Sequence, residues 1–365
     1  MEKMLGFGCM RLPMNDGEVD YEEVNKMVDY YMEQGFNYFD TAHGYIGGKS
    51  EIAVRECVAK RYPRESFVLT DKLTEPYFRS QEDIRPFLEN QLEWCGVDYF
   101  DYYLMHAQDR NTYPHFQKTH AYEECLKLKE EGKIKHLGIS FHDKAEMLEQ
   151  ILNEHPEVEI VQIQFNYVDY LSSSVQAKKV YEVCRKFEKP ILVMEPVKGG
   201  GLVNLPDEAK KMIDDLNQDY SYASYAVRFA GSFDGMYKVL SGMSSFEQLK
   251  DNVDYMKAFK PLNDTEMEIV LKIGEMLRNM GGIPCTACRY CVEGCPMKIS
   301  IPDLFSCYNA KVQFQDWNAG YYYNVHTKNG NGKASDCIKC GKCEQICPQH
   351  LEIRELLTKV AEVFE

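Results

Sequence analysis

Along roughly the first 260 residues, short runs of β-branched and aromatic side chains alternate with longer stretches whose apolar residues recur every three or four positions. Short apolar runs bounded by turn residues read as strands, and the three-to-four spacing reads as helices with one buried face. Eight strands are predicted, at residues 5–9, 36–42, 67–72, 100–106, 136–140, 160–166, 191–195 and 237–242. Between them lie helical segments such as YEEVNKMVDYYMEQG, ending at Gly35, and SEIAVRECVAK, for which Ser50 is the expected N-cap. Strand and helix alternating in this way predict a parallel sheet, and eight such units favour a closed (β/α)8 TIM barrel over an open doubly wound sheet. No GxGxxG follows the first strand, so the open-sheet alternative also lacks its phosphate-binding turn.

Residues 264–278 read as one further helix, and Gly281-Gly282 then breaks the pattern ahead of a cysteine-rich tail. The expected division is a barrel over 1–262, a connecting helix over 263–280 and a small domain over 281–365. In the tail one spacing occurs twice, as Cys285-x-x-Cys288-x-x-Cys291-x-x-x-Cys295-Pro296 and Cys337-x-x-Cys340-x-x-Cys343-x-x-x-Cys347-Pro348. Three thiolates at three-residue intervals wrap one cubic iron–sulfur cluster, and the fourth, followed by proline, completes its neighbour. Cys285, Cys288 and Cys291 are thus expected to work with Cys347, and Cys337, Cys340 and Cys343 with Cys295, holding two [4Fe-4S] clusters. Structural zinc instead takes two separated Cys-x-x-Cys pairs. The overall expectation is an α/β chain in which a TIM barrel precedes a small α+β ferredoxin-like iron–sulfur domain. A stretch of 41 residues, 296–336, separates the two motifs and holds the aromatic DWNAGYYYNVH. It is expected either to pack on the barrel or to lie as a lid near its mouth, with plain surface cover the favoured reading.

Composition narrows the function. With 44% apolar and 27% charged residues, the 365-residue chain has the material for a globular core. Its formal charge of −15 opposes binding to nucleic acid or anionic lipid. No apolar run approaches the ~18 residues of a membrane span, and the start, MEKMLGFGCMRLP, enters the first strand without a signal-peptide core, so no membrane partner and a cytoplasmic location are expected. Of the 14 cysteines, six (Cys9, Cys57, Cys95, Cys125, Cys184 and Cys307) are scattered without a disulfide framework and fit a reducing compartment.

In such barrels the reacting groups sit at the C-terminal ends of the strands. Four polar residues fall there in order: Asp40 in FDTAHGY, Tyr45 shortly after it, Lys72 in VLTDK and His106 in YYLMH. Singly, each has an ordinary structural reading; together they suit carbonyl reduction, in which a hydride reaches carbon and a proton must reach the developing alkoxide. A free tyrosine, with its pKa near 10, is a reluctant donor at neutral pH. An adjacent ammonium lowers that value, and a carboxylate fixes the ammonium. Tyr45 is then the general acid, Lys72 tunes it, Asp40 holds Lys72, and His106 orients the carbonyl oxygen.

These residues, with LGFGCMRL at the start, resemble the aldo-keto reductase family, whose Asp, Tyr, Lys and His tetrad stands on a (β/α)8 barrel. The resemblance covers roughly residues 1–260, and with the tail it looks like the subgroup carrying a C-terminal ferredoxin-type domain. It implies NADP or NAD as cofactor and a small carbonyl compound as substrate. By the same resemblance, Gly8, Cys9 and Met10 border the cofactor, Ser140 in GIS and Gln162 in VQIQFNY contact the nicotinamide amide, and Met194 or Glu195 lies near its ring. After the eighth strand, VLSGMSSFEQLKDN corresponds to the segment that grips the adenosine phosphate. Here Gly242 and Gln248 stand where NADP-preferring members carry lysine and arginine, only Lys250 remains nearby, and NADH becomes as good a fit as NADPH. Asp251 and Asn252 are implied at the adenine edge.

Nicotinamide gives up a two-electron hydride whereas each cluster takes one electron, and no flavin motif is evident in the sequence. Three readings follow: a hydride-transfer reductase with structural or redox-sensing clusters, an enzyme passing single electrons from a ferredoxin or other redox partner to a substrate at the barrel mouth, and a non-catalytic binding or regulatory protein. The complete tetrad favours the first.

Overall fold

The computed structural model describes residues 3–365 except 173–174, 217–218, 286, 329 and 348; Pro348, the proline of the second cysteine motif, is therefore outside the described residues. Eight parallel strands close into a barrel: β1 (Leu5–Gly8), β2 (Tyr38–Asp40), β3 (Val68–Leu73), β4 (Phe100–Gln108), β5 (Ile134–Phe141), β6 (Ile160–Gln164), β7 (Ile191–Met194) and β8 (Met236–Gly242). Each coincides with one predicted strand. Closure is made by β1, whose Gly8 pairs with Gly242 of β8 on one side and with Asp40 of β2 on the other.

Strand alternation divides the side chains into two layers. Phe7, Phe39, Leu69, Tyr103, Leu137, Val161, Val193 and Val239 are buried in the main core against the helices. Tyr38, Leu104, Ile160, Leu192 and Leu240 form a separate cluster that fills the barrel interior. Glycine makes room there: a Cβ on Gly138 would stand 2.6 Å from Leu104 and 2.7 Å from the carbonyl oxygen of Ile160. One polar pairing in the layers is also explained. Tyr38 hydroxyl and Thr70 hydroxyl lie 2.6 Å apart, so the buried phenol keeps a partner.

Helix α1 (Tyr21–Glu33) is capped by Asp20, which accepts from Glu23 N, and ends just before Gly35 in the left-handed region (φ 77°), as the sequence predicts. The expected cap at Ser50 is corrected. That helix begins at Lys49 after Gly48, and the Ser50 hydroxyl turns inward to donate to the Cys9 carbonyl at 2.9 Å while meeting the Thr41 hydroxyl at 2.7 Å. Ser50 therefore braces the β1 and β2 ends instead of starting the helix. A short hairpin of Met14–Asn15 and Glu18–Val19 after β1 was not predicted, being only two residues a side.

Beyond the barrel, α2 (Asp264–Asn279) opens with a capping box between Asn263 and Glu266. Glu266 also receives both Nη atoms of buried Arg228 at 3.0 Å, which fastens the helix to the barrel. The cysteine-rich region follows. Its described residues form helices and no strands, so the α+β character expected of this module resolves here into α3 (Ile301–Phe314), α4 (Asn318–His326), α5 (Ile353–Phe364) and two single turns carrying cysteines. The stretch expected as a loop is mostly α3 and α4, and it lies over the C-terminal end of the barrel. Lys144 pairs with Asp303 at 2.8 Å, Lys198 with Asp316 at 2.8 Å, and Asn111 Nδ2 donates to the Val325 carbonyl at 3.0 Å. The stretch thus packs on the barrel, and does so at its C-terminal end. Among the described residues no helix is long and apolar enough to cross a membrane.

Candidate active site

Because β2, β3 and β4 are neighbours in the barrel, the residues ending them converge at its mouth. Lys72, fully buried, donates from Nζ to Asp40 Oδ1 at 2.8 Å and to the Thr41 carbonyl at 2.6 Å. The second Asp40 oxygen accepts from Gln162 Nε2 at 3.1 Å. Lys72 Nζ stands 4.8 Å from the centre of the Tyr45 ring, and that ring meets His106 edge-on at 6.0 Å. Nδ1 of His106 is 2.7 Å from the Thr74 hydroxyl, which leaves Nε2 for the mouth.

Burial and charge oppose one another here. Burial disfavours a charged lysine, but Asp40 and the Tyr45 phenol outweigh it, so the Lys72 ammonium is held above its ordinary range. Burial raises the Asp40 carboxyl, and Lys72 and Gln162 only partly offset it. Tyr45 is pushed up to about 12, chiefly by burial, although Lys72 pulls it down by charge and hydrogen bonding. The expected lowering by lysine therefore operates, but in this state it does not prevail. His106 lies well below its ordinary value because it is buried and faces Lys72 and His142, so its imidazole is neutral.

Three features escaped the sequence reading. His142, two residues beyond Ser140, stands 3.4 Å from that hydroxyl and packs against Tyr321 and Tyr322 of α4. Its placement at the end of β5 was a readable signal. Arg11 packs against both Gly199 and Gly242, placing a cation between the loops after β7 and β8. Behind Lys72, Glu51, Asp71 and Cys95 bring their ligand atoms within 4.8 Å of one another. Glu51 accepts from Gln91 Nε2 at 3.0 Å and lies 2.7 Å from His43 Nδ1. An aspartate next to Lys72 on a strand has to face the helix layer, where a charge is unusual, and that too was legible.

The residues implied at the cofactor line the same end of the barrel, with several side chains already engaged. Gly8 packs against the Ser241 carbonyl, Cys9 is buried with its thiol 3.7 Å from the Phe7 carbonyl, and Met10 follows in the same short turn. Gln162 is spent on Asp40, as above. Met194 pairs in register with Gln164, and half-buried Glu195 sits in the left-handed region (φ 56°) with its carbonyl accepting from Asn166. Gln248 accepts from Ser244 N at 2.8 Å, Asp251 from the Ser221 hydroxyl at 2.6 Å, and Asn252 donates to the Ser241 hydroxyl at 2.7 Å. Asn252 is thereby turned inward, and Lys250 is paired with Asp254.

The eight motif cysteines fall into two sets. Cys285, Cys288, Cys291 and Cys347 line one small cavity, and Cys295, Cys337, Cys340 and Cys343 line another. All are free thiols. This is the crossed grouping expected from the spacing, and eight soft ligands in two fours have the donor chemistry of iron–sulfur sites.

Residues 4–275 match the aldo/keto reductase family, and residues 284–351 match a 4Fe-4S dicluster domain. The chain is 25% identical to an NADH-specific methylglyoxal reductase of Escherichia coli strain K12, over 67% of this chain and 85% of that protein. It is 30% identical to an aldo-keto reductase of Mycolicibacterium vanbaalenii, over 65% and 79% of the two. Its fold is similar to that of the aldo-keto reductase AKR11C1 from Bacillus halodurans, with TM-score 0.60 and 24% identity over 74% of this chain and 91% of that one, and to an aldo-keto reductase from Brucella melitensis, with TM-score 0.58 and 23% identity over 74% and 94%. The barrel with these residues at its mouth belongs to the aldo/keto reductase family of oxidoreductases, here joined to a 4Fe-4S dicluster domain.

Proposed function

We propose that the protein reduces an aldehyde or ketone with a nicotinamide cofactor, with Tyr45 as the general acid. The observation that carries this reading is the linked set Gln162, Asp40, Lys72, Tyr45 and His106 at the barrel mouth. Reduced nicotinamide, when bound, supplies a hydride to the carbonyl carbon. Tyr45 gives its proton to the oxygen as negative charge develops there. Its high resting pKa keeps the proton in place until then, and Lys72, held by Asp40 and Thr41, stabilises the phenolate left behind. Neutral His106, its Nδ1 facing Thr74, offers Nε2 to the same oxygen and fixes its position.

Ser140 and Gln162 would border the nicotinamide amide, with Gln162 acting also through Asp40. Arg11 would offer positive charge to the cofactor's phosphates. With Lys250 neutralised by Asp254 and Gly242 and Gln248 lacking charge, no arginine or free lysine on the β8 segment awaits a 2′-phosphate, which favours NADH. The relative named as an NADH-specific reductase points the same way. The two cysteine sets would each hold one [4Fe-4S] cluster, giving the molecule sites for single electrons and for a redox partner such as ferredoxin.

The test is oxidation of NADH and of NADPH by anaerobically purified protein over a panel of carbonyl compounds, beside the Tyr45→Phe variant. Reduction should fall by about 10²-fold or more in the variant, with the nucleotide still bound. Substantial turnover by Tyr45→Phe removes Tyr45 from the role, and turnover only with reduced ferredoxin transfers the reading to single-electron chemistry.

A further inference from the structure

Beside the mouth, a cleft of about 540 Å³ runs between the loop after β6 and helix α3. That volume is in the range of small-molecule sites. Barrel residues Gln164, Asp169 and Lys198 form one wall, and Cys285 and Tyr322 stand on the other. Cys285 also lines the cavity shared by Cys288, Cys291 and Cys347. A molecule seated in the cleft would therefore abut a ligand of the first cluster, while Tyr322 separates it from His142 at the mouth.

The charges of the walls narrow its chemistry. Lys198 is buried and held at 2.8 Å by both Asp169 and Asp316, so it is not available to an anion. Arg278 differs: its Nη1 donates to the Val168 carbonyl at 2.8 Å, and among the described residues no carboxylate pairs with it. The two wall carboxylates share Lys198, and Arg278, under the field of Asp169 and Glu275, is the cation without a direct ion pair among the described residues, so a planar polar ring whose anionic tail meets Arg278 fits the cleft. The redox setting asks for the same molecule, because hydride donors move two electrons and clusters one, and a flavin exchanges with either.

We infer that this cleft, with Cys285 in one wall and Arg278 at its edge, binds a flavin mononucleotide that exchanges electrons with the first cluster. The ring lies against the Cys285 wall and the phosphate against Arg278. With the cysteine sets loaded and reduced, Cys285 at the cleft wall would let two single electrons reach the flavin, and two protons from water would complete the dihydroflavin. The inference goes beyond the carbonyl-reductase reading and does not require it.

Cluster-loaded, anaerobically purified full-length protein is titrated with flavin mononucleotide while flavin fluorescence and bound iron are followed. Quenching at one flavin per chain is expected. Ala310→Trp, which places an indole in the cleft, should abolish it with iron content unchanged. Arg278→Gln should weaken flavin mononucleotide about tenfold and leave riboflavin unaffected. After the clusters are reduced with dithionite and excess reductant is removed, substoichiometric reduction should give a flavin semiquinone signal. No quenching by flavin mononucleotide or riboflavin, or wild-type binding by Ala310→Trp with its iron intact, overturns the site. Unchanged affinity of Arg278→Gln for flavin mononucleotide, or an equal loss for both flavins, overturns the placement of the phosphate. Carbonyl reduction assayed on the same samples reads the other proposal separately, since its loss with flavin binding retained sinks that one alone.

Discussion

Tyr322 of α4 donates its hydroxyl to Oε1 of Gln164, the last residue of β6, at 3.1 Å. A residue from between the two cysteine motifs thus completes the hydrogen bonding of a buried side chain at the end of a barrel strand, whose amide nitrogen is already given to Asp169 at 2.7 Å. Its neighbour Tyr321 reaches Asp109 at 2.8 Å after β4. Covering the mouth and holding the cysteines are therefore tasks of one continuous segment, bracketed by Cys295 and Cys337.

Loss of iron should loosen this cover. Chelation of iron from the cluster-loaded protein is expected to raise amide hydrogen exchange over residues 301–326 while the barrel strands stay protected. Unchanged protection there would mean that the barrel contacts alone hold α3 and α4. In the intact protein, Tyr322→Phe leaves the Gln164 oxygen buried without its donor and should cost about 1–3 kcal/mol, read as a lower urea midpoint.

The Lys72–Asp40 pair is buried on both sides, with side-chain exposures of 0% and 4%. Removing only the cation strands a carboxylate in the interior. Lys72→Met should cost about 3–5 kcal/mol of stability, and adding Asp40→Asn should recover part of it. Both variants should lose carbonyl reduction. A double variant as unstable as the single one would show that the damage is steric.

His142 is held down at about 4 by burial and by the charge of Lys72. Its folded-state pKa lies below the ordinary 6.5, so below pH 6.5 the unfolded chain binds more protons, and stability falls as pH drops toward 4. His142→Gln should flatten that acid limb in denaturant midpoints measured from pH 7 to pH 4. An unaltered limb would assign it to the other histidines shifted the same way, His43, His106 and His326.

Much of this was legible in sequence because it rests on local periodicity. The eight strands each show a compact apolar run between turn residues, and the crossed cysteine sets follow from spacing alone. Asp40, Lys72 and His106 were found because a barrel gathers strand ends at one face. What was hidden depended on distant packing. Ser50 carries the composition of a cap, but Cys9, 41 positions away, claims its hydroxyl. The net pKa of Tyr45 depends on a burial that outweighs the pull of Lys72, and no local pattern in the sequence reveals that balance. The aromatic helix itself was visible as composition, yet its seat on the mouth needed Gln164, Asp109 and His142 as partners.

The carboxylate pair behind Lys72 gives the last prediction. Glu51 and Asp71 are both fully buried, and a proton shared between them lets the pair avoid two adjacent charges. Burial raises Glu51 from 4.5 to about 7, against the pull of Gln91 and Asp71. Because the folded-state value is the higher one, the folded chain binds more protons than the unfolded chain between pH 4.5 and about 7. Stability contributed by Glu51 should therefore decline as pH rises through that window, opposite in sign to the histidine effect. Glu51→Gln keeps an acceptor for Gln91 and cannot ionise, so it should remove the decline and raise the midpoint at pH 8 more than at pH 5. Equal midpoint shifts at the two pH values would place the buried proton elsewhere.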